Sequence, residues 1–199
     1  LSGSIDNVAL FDYLALSDQE IQLMYNDHSL VESFESLGKY FEFNEGAGDY
    51  SSYGGSQATI YGAEWSDDVP NVDNQSQQNY SLSFDGVDDY VEVPYANSLL
   101  FENSSISYSC WFKKPPSTHS EQTALITNGN SGIIPFLGLH ITGTNDFGTD
   151  AGKISFYYRN QNGSSEHNLI SSQSVDDGTW HHVVGVKNVE EQKLQIFID

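Results

Sequence analysis

Carboxylates in turns are the residues of this sequence with the clearest chemical potential. Asp85, Asp88 and Asp89 fall within five residues, in a segment whose glycine favours a tight turn. Ca²⁺ takes six to eight hard oxygens from carboxylates, backbone carbonyls and water, and acidic Gly-rich turns supply such oxygens. We therefore expect bound Ca²⁺ with a structural role. For these three residues we favour a solvated hairpin, and a calcium site is the alternative.

The first candidate for the calcium site is a different set of oxygens. Asp49 and Ser51 belong to a Gly-rich stretch, and Asp6 lies in an N-terminal segment with strand character. We expect these three residues to form a calcium site, with ordinary turn and cap chemistry as the alternative. If either site holds Ca²⁺, a chelator should lower the melting temperature by several degrees.

Other residues with reactive side chains fit structural roles. Cys110 is the only cysteine and lies in an apolar strand pattern, so we expect a buried thiol rather than a nucleophile. His181 and His182 are adjacent in a predicted strand, where neighbouring side chains point to opposite faces. They therefore cannot chelate one ion.

The sequence lacks the motifs of the common hydrolases. A glycosidase needs two carboxylates about 5 to 9 Å apart, and on a strand these would be alternating acidic residues. The acidic pairs Glu190–Glu191 and Asp176–Asp177 are adjacent and point apart. No Gly-x-Ser-x-Gly motif or phosphate-binding glycine loop occurs. We expect that the protein is not an enzyme.

The charge balance excludes several classes of partner. The 199 residues include 28 acidic and 7 basic side chains, for a formal net charge of −21. Nucleic acids and anionic membranes bind through Lys and Arg, so neither is an expected partner. No segment has the roughly 18 apolar residues that a membrane-spanning helix requires, so we expect no membrane insertion.

Period-two alternation dominates the chain. One segment, Leu16–Tyr25, instead has helical spacing, with Ser17 as the expected N-cap and Glu20 completing a capping box. We predict strands over residues 5–11, 39–43, 81–84, 90–93, 105–113, 123–127, 136–141, 153–159, 181–186 and 194–198. We predict a Gly-rich turn region over residues 44–55. Many short strands at regular spacing indicate a β-sandwich or barrel.

Exposed aromatic and amide side chains are candidates for sugar binding. Aromatic rings offer flat platforms, and Asn side chains offer hydrogen bonds. The alternative is that the aromatic residues pack in the core. The candidate residues are Tyr50, Tyr53, Tyr95, Asn128, Asn130 and Asn160.

Three segments in order resemble one known family. The first comprises residues 40–49 and 60–65, which read YFEFNEGAGD and IYGAEW. The second is SLSFDGVDDYVEV over residues 81–93, and the third comprises DDGTWHHVVGV over 176–186 and LQIFID over 194–199. Together, over about residues 38 to 199, they resemble laminin G-like domains of the concanavalin A-like lectin/glucanase superfamily.

The resemblance implies an all-β fold, a two-sheet antiparallel jelly-roll sandwich, with one short helix near the N-terminus. Residues 1–30 resemble the closing strand and following helix of such a domain, and residues 31–199 resemble a domain incomplete at its C-terminal end. Either a preceding tandem copy or a circular permutation accounts for this order, and we favour tandem repeats. Both predict that residues 5–11 lie beside a first strand such as residues 40–43, in this chain or a neighbour.

The resemblance also sets the functional expectation. We expect a non-catalytic, calcium-stabilised adhesion module of an extracellular cell-surface repeat protein, with glycans, cell-surface proteins or neighbouring copies as partners. The alternatives are a structural stalk or filament repeat, and an accessory carbohydrate-binding module of a secreted glycan-degrading enzyme. A surface protein with a single cysteine is more typical of bacteria than of animals.

Overall fold

The chain folds as an antiparallel β-sandwich. The structure is a computed structural model, and it describes residues 1–34, 36–71, 79–94, 103–116, 120–128, 136–147, 150–160 and 166–199. Its strands form one sheet of seven, one of four and one of three. In the described residues, no helix is both long and apolar enough to cross a membrane.

The described residues form fourteen strands, two α-helices and one 3₁₀-helix. The strands are β1 (Ser2–Asp12), β2 (Leu37–Phe41), β3 (Tyr50–Tyr53), β4 (Ser56–Tyr61), β5 (Glu64–Ser66), β6 (Ser81–Asp85), β7 (Tyr90–Glu92), β8 (Ile106–Lys113), β9 (Thr123–Asn128), β10 (Phe136–Ile141), β11 (Lys153–Arg159), β12 (Glu166–Ser174), β13 (Trp180–Asn188) and β14 (Lys193–Ile198). The helices are α1 (Asp18–Asn26) and α2 (Thr144–Phe147), with a 3₁₀-helix at His28–Ser33.

The seven-stranded sheet is organised around β1. Its order is β14-β13-β8-β1-β6-β5, and β2 also pairs with β1. On one side β1 pairs with β8, and on the other its residues 2–5 pair with β6 and its residues 8–11 with β2. The predicted pairing of the N-terminal segment with residues 40–43 is thus confirmed, within one chain. The division of the chain at residue 30 stays a prediction.

A β-bulge in β1 keeps both halves of that strand facing the core. Asn7 and Val8 together oppose the single residue Cys110 of β8, and Asn7 has a positive φ of 50°. One extra residue reverses the alternation of side chains along a strand. As a result Ile5 and Leu10, which lie on either side of the bulge, belong to the same core cluster.

The main core lies between the seven-stranded sheet and the two smaller sheets. Their inner residues pack in one cluster, so the smaller sheets together cover one face of the larger one. The ring centroids of Tyr108 on β8 and Phe156 on β11 lie 6.4 Å apart. Gly185 on β13 leaves room for Phe156, because a Cβ there would come within 2.8 Å of its ring.

Helix α1 and the 3₁₀-helix cover part of the opposite face of the seven-stranded sheet. Ser17 caps α1, and Glu20 completes the capping box, as predicted. Ile21 and Met24 are buried in a second cluster that includes Phe11 of β1. Covering both faces explains why all side chains of β8 from Ile106 to Phe112 are buried.

The two smaller sheets have the orders β12-β11-β10-β9 and β3-β4-β7. In the three-stranded sheet, β3 and β4 are joined by Gly54 and Gly55, both with positive φ. Two consecutive residues with positive φ form the turn type that suits a two-residue hairpin.

The predicted fold class and the predicted strands are confirmed, and three regions differ. The stretch of residues 44–55 was predicted as turn, but β3 lies within it. Its residues are small or aromatic and too few to show clear alternation. The strands β4 and β5 lie outside the predicted strands as well. The strand β12 was not predicted, because its only apolar residues, Leu169 and Ile170, are adjacent and give no alternation.

Candidate functional site

The connection between β6 and β7, residues 85–89, forms a compact acidic turn that we call the acidic hairpin. The Asp85 backbone N–H donates to Asp89 Oδ2 at 2.7 Å, and the Val87 N–H donates to Asp85 Oδ1 at 2.7 Å. Gly86 takes a positive φ of 85°. These bonds fix the turn, and no hydrogen bond joins the Asp88 carboxylate to another described residue.

Three carboxylates converge at this hairpin. One carboxylate oxygen from each of Asp85, Asp88 and Asp89 lies within 4.8 Å of the other two. Among the described residues, this is the only group of three or more Asp, Glu, His or Cys side chains close enough to hold a metal ion. Asp85 and Asp88 are exposed, and Asp89 is half-buried. Because Ca²⁺–O distances are about 2.3–2.6 Å, ligands on opposite sides of the ion lie up to about 5 Å apart. The residues present therefore fit a calcium ion.

Gly62 supports the acidic hairpin from the neighbouring β4–β5 connection. It has a positive φ of 82°, and a Cβ on this residue would lie 2.0 Å from Asp89 Oδ1. Only a glycine permits this approach, so any side chain here would displace the Asp89 carboxylate. The position of Asp89 therefore depends on a residue that has no ligand atom of its own.

The three residues of the other predicted calcium site, Asp49, Ser51 and Asp6, lie in different surroundings. Asp49 is exposed just before β3, and its carbonyl accepts a hydrogen bond from Ile60 N–H at 2.8 Å. Ser51 is buried on the inner side of β3. Within the described residues, no hydrogen bond joins Asp6 to Asp49 or Ser51. A calcium ion shared by these three stays a prediction.

Asp6 instead belongs to a buried polar network beside the bulge of β1. It is 2% exposed, and its Oδ1 accepts a hydrogen bond from the Asn7 backbone N–H at 2.8 Å. The Tyr40 hydroxyl donates to Asn7 Oδ1 at 2.8 Å. Burial raises the pKa of Asp6 well above its ordinary value, and the nearby Glu42 charge acts in the same direction. Burial thus favours the neutral form of Asp6.

The outer side of the three-stranded sheet carries exposed aromatic residues. Tyr50, Tyr61 and Tyr90 are 46%, 41% and 52% exposed. Tyr61 and Tyr90 are cross-strand partners whose rings stack with centroids 4.6 Å apart at 16°. Tyr50 pairs with Thr59, which is two residues before Tyr61 and so shares its face. We call this surface, completed by Glu92, the tyrosine face.

Several carboxylates lie on or next to the tyrosine face. Glu92 lies on β7 opposite Thr59 and accepts a hydrogen bond from the Tyr61 hydroxyl. The pKa of Tyr61 is raised, first by desolvation and then by the charge of Glu92, with a smaller effect from Asp49. The acidic hairpin adjoins the same surface, because Asp89 precedes Tyr90 directly. The tyrosine face is therefore aromatic and negatively charged.

The predicted sugar-binding residues lie in separate regions. Tyr50 lies on the tyrosine face, whereas Tyr53 is half-buried with its ring 5.7 Å from that of Tyr40. Asn128 and Asn160 are at the ends of β9 and β11, in the four-stranded sheet. The remaining two, Tyr95 and Asn130, lie outside the described residues.

Sequence reasoning did not select Tyr61, Tyr90 and Glu92 as ligand-binding residues. Their stacking depends on the register of β4 against β7, which the sequence does not display. One signal was available, since no Lys, Arg or His occurs between Lys39 and Lys113, where there are twelve acidic residues. A long acidic stretch that contains several tyrosines indicates a surface with both properties.

The two adjacent histidines point to opposite faces of β13, as predicted. His181 Nδ1 is 2.6 Å from Asp199 Oδ2, and its Nε2 is 3.2 Å from Asp177 Oδ1. Its hydrogen bond to Asp199 is the main cause that raises the pKa of His181. His182 Nε2 lies 2.8 Å from Ser109 Oγ on the other face. Each histidine thus has its own partners.

Comparison with known proteins identifies a family. A laminin G family model, described as the concanavalin A-like lectin/glucanases superfamily, matches residues 85–199, which is more than half of the chain. No curated protein and no solved structure matches it. The match begins at the acidic hairpin and extends through β14, so it includes residues 85–93 of the second segment that carried the resemblance and all of the third.

Proposed function

The chain belongs to the concanavalin A-like lectin/glucanases superfamily, and from this we propose that it is a non-catalytic module that binds a glycan or a protein. The observation that carries the proposal is the proximity of two features at the three-stranded sheet. The tyrosine face exposes three aromatic rings, and the acidic hairpin beside it groups three carboxylates. Exposed aromatic side chains are typical of binding surfaces rather than of solvated ones.

Ca²⁺ at the acidic hairpin is part of the proposal. Asp85, Asp88 and Asp89 would supply three carboxylate oxygens, and water or backbone carbonyls would complete the six to eight ligands that the ion takes. Bound Ca²⁺ would offset the repulsion among three like charges and so stabilise the β6–β7 turn. Its role would be structural, since it would fix Tyr90, the residue that follows Asp89.

An extracellular location is consistent with a site of this kind. Extracellular calcium modules have dissociation constants of about 10⁻⁴–10⁻³ M, and few carboxylates on an exposed turn suit weak binding. We propose that the module works at a cell surface, where Ca²⁺ at such concentrations occupies the site. Repetition of the module along a longer protein is the corresponding proposal for its context.

A non-catalytic role is supported by the state of the potentially reactive groups. Among the described residues, the shortest contact between a hydroxyl and a histidine joins Ser109 to His182, and both side chains are buried. The exposed Thr179 hydroxyl also lies 3.2 Å from His181 Nε2, but it donates its hydrogen bond to Asp177 Oδ1 at 2.6 Å. Tyr25 stacks on Trp111, and Trp111 lies 5.2 Å from the His182 ring, so aromatic residues cover the Ser109–His182 pair. Burial also raises the pKa of the Cys110 thiol, which opposes formation of the thiolate.

The calcium part of the proposal is tested by thermal unfolding. In about 1 mM Ca²⁺ the melting temperature should exceed that in chelator by several degrees, because a ligand that binds the folded state stabilises it. The Asp88→Asn variant should lose this difference, since it removes one charge from the site. The matched control is Glu190→Gln on the exposed β13–β14 turn, which should keep it. A calcium effect that persists in Asp88→Asn would contradict the proposed location.

The binding part is tested with glycan and peptide arrays probed by folded, fluorescently labelled protein. We expect binding to at least one defined class of glycan or peptide, and weaker binding by a Tyr61→Leu/Tyr90→Leu double variant. Circular dichroism should first show that both proteins are folded. If the folded wild-type protein binds neither array, with or without Ca²⁺, the proposed binding function is wrong.

A further inference from the structure

We infer that the tyrosine face binds a positively charged protein segment, with Lys or Arg side chains held between the tyrosine rings and the surrounding carboxylates. This inference rests on the proposal that the chain is a binding module, and it names the class of partner. Two independent features support it, namely the geometry of the rings and the charge of the surface that contains them.

The rings of the tyrosine face are held in place by the sheet. Tyr61 and Tyr90 occupy directly opposed positions on β4 and β7, and their stack is nearly parallel. Each ring uses one π face in this stack, and the two residues remain 41% and 52% exposed. On the opposite side of the same strands, Ala58 and Ile60 are buried in the core, which anchors the sheet. The platform is therefore pre-organised, and binding orders few side chains.

The negative charge around these rings is not balanced by basic residues, and bound Ca²⁺ would offset only two of the three charges of the acidic hairpin. Asp49 and Glu92 influence Tyr61, and the acidic hairpin follows directly at Asp89. The nearest basic residues in the sequence are Lys39 and Lys113. Lys39 donates a hydrogen bond to Ser56 at the opposite end of β4 from Tyr61, and Lys113 forms an ion pair with Asp68 at 2.7 Å. A surface of this kind attracts cations and repels anions.

A cation satisfies both features of the surface at once. An ammonium or guanidinium group over a tyrosine ring interacts favourably with its π electrons, and a carboxylate such as Glu92 can accept its hydrogen bonds. Arg suits the face better than Lys, because its planar group stacks on a ring and presents several N–H donors. A neutral glycan would use the rings and gain little from the unbalanced charge.

The test uses synthetic peptides as probes, with binding measured by isothermal titration calorimetry. Octa-arginine should bind, octa-lysine should bind several-fold more weakly, and a neutral Gly-Ser octapeptide should not bind. The Tyr61→Leu/Tyr90→Leu double variant, which keeps apolar area and removes the aromatic rings, should weaken octa-arginine binding about ten-fold. Glu92→Gln should weaken it two- to five-fold. The matched controls are Tyr13→Leu and Glu190→Gln, which alter an exposed tyrosine and an exposed carboxylate elsewhere and should leave affinity within two-fold.

Three outcomes would overturn the inference. The first is no binding of octa-arginine by the folded protein. The second is binding that the Tyr61→Leu/Tyr90→Leu variant retains in full, which would indicate attraction to the net charge alone. The third is binding of a neutral glycan at these two tyrosines without binding of octa-arginine. In this last case the cationic partner would be wrong and the proposed binding function would stand, whereas failure of every probe and array would reject both.

Discussion

The acidic hairpin and the Asp6 network contain the same functional group in opposite environments. In the hairpin, three aspartates converge, two of them exposed, and a glycine supports one of them from behind. At Asp6, a single carboxyl group lies 2% exposed beside Asn7 and Tyr40 in the sheet. Burial, rather than residue type, therefore decides whether a carboxylate of this chain is available to a ligand.

The largest expected effect comes from removing Tyr40, which closes the Asp6 network. The Tyr40→Ala variant should lose about 3–5 kcal/mol of unfolding free energy, because it leaves a cavity under a fully buried side chain and unpairs Asn7. Urea unfolding measures this loss. Tyr61→Leu on the tyrosine face is the matched control and should cost less than about 1 kcal/mol. Equal costs at the two positions would contradict the division into a structural and a ligand-binding region.

A smaller effect is expected from replacing Asp6 itself. The sign of the change in stability shows whether Asp6 is a buried neutral group or an ionised ligand of Ca²⁺. The folded-state pKa is raised, so the folded state holds a proton that the unfolded state releases, and stability is lost as pH rises from about 4 towards the folded pKa. Asp6→Asn keeps an acceptor for Asn7 and avoids that loss. It should therefore stabilise the protein at pH 7 by on the order of 1 kcal/mol, with little difference at pH 4.

The contrary result at Asp6 would have a definite meaning. If Asp6→Asn lowers the melting temperature in Ca²⁺ and has no effect in chelator, Asp6 is ionised and ligates the ion. The site formed with Asp49 and Ser51 would then replace the acidic hairpin as the location of Ca²⁺.

The two carboxylates that contact His181 are in a third kind of environment, in which each interacts with a histidine ring. Asp199 and Asp177 hold its ring, and its pKa is raised, so its contribution to stability is complete below about pH 6.5 and is lost as pH rises through the folded pKa. His181→Gln should cost up to about 1 kcal/mol at pH 5 and less at pH 8. Urea unfolding at both pH values checks this, and a cost that is equal at both would show that the histidine acts through packing alone.

The smallest effect is expected from the acidic hairpin without its ion. In chelator, Asp88→Asn should change the unfolding free energy by less than about 0.5 kcal/mol, since Asp88 is an exposed surface side chain. Thermal unfolding in chelator measures it. A loss above about 1 kcal/mol would mean that Asp88 supports the fold directly, in which case its effect in Ca²⁺ could not be assigned to the ion.

Much of this organisation could be predicted from the sequence, and the exceptions have physical causes. Alternation located most strands, and the capping box located α1, because both signals are local. The acidic hairpin was also predictable, since Asp85, Asp88 and Asp89 are neighbours in sequence. The burial of Asp6 was not, because it depends on how the strand that carries the bulge is covered. The Tyr61–Tyr90 stack required the register between two strands, which depends on long-range pairing.

The central claim is that Ca²⁺ binds at the acidic hairpin beside the tyrosine face. A Ca²⁺ titration followed by ¹H–¹⁵N NMR tests it most directly, because each backbone amide reports on its own surroundings. We predict that the largest shifts occur at residues 85–90 and at Gly62, with Asn7 unaffected. Shifts concentrated at Asn7 and residues 49–51, or no saturable shifts at all, would contradict the claim.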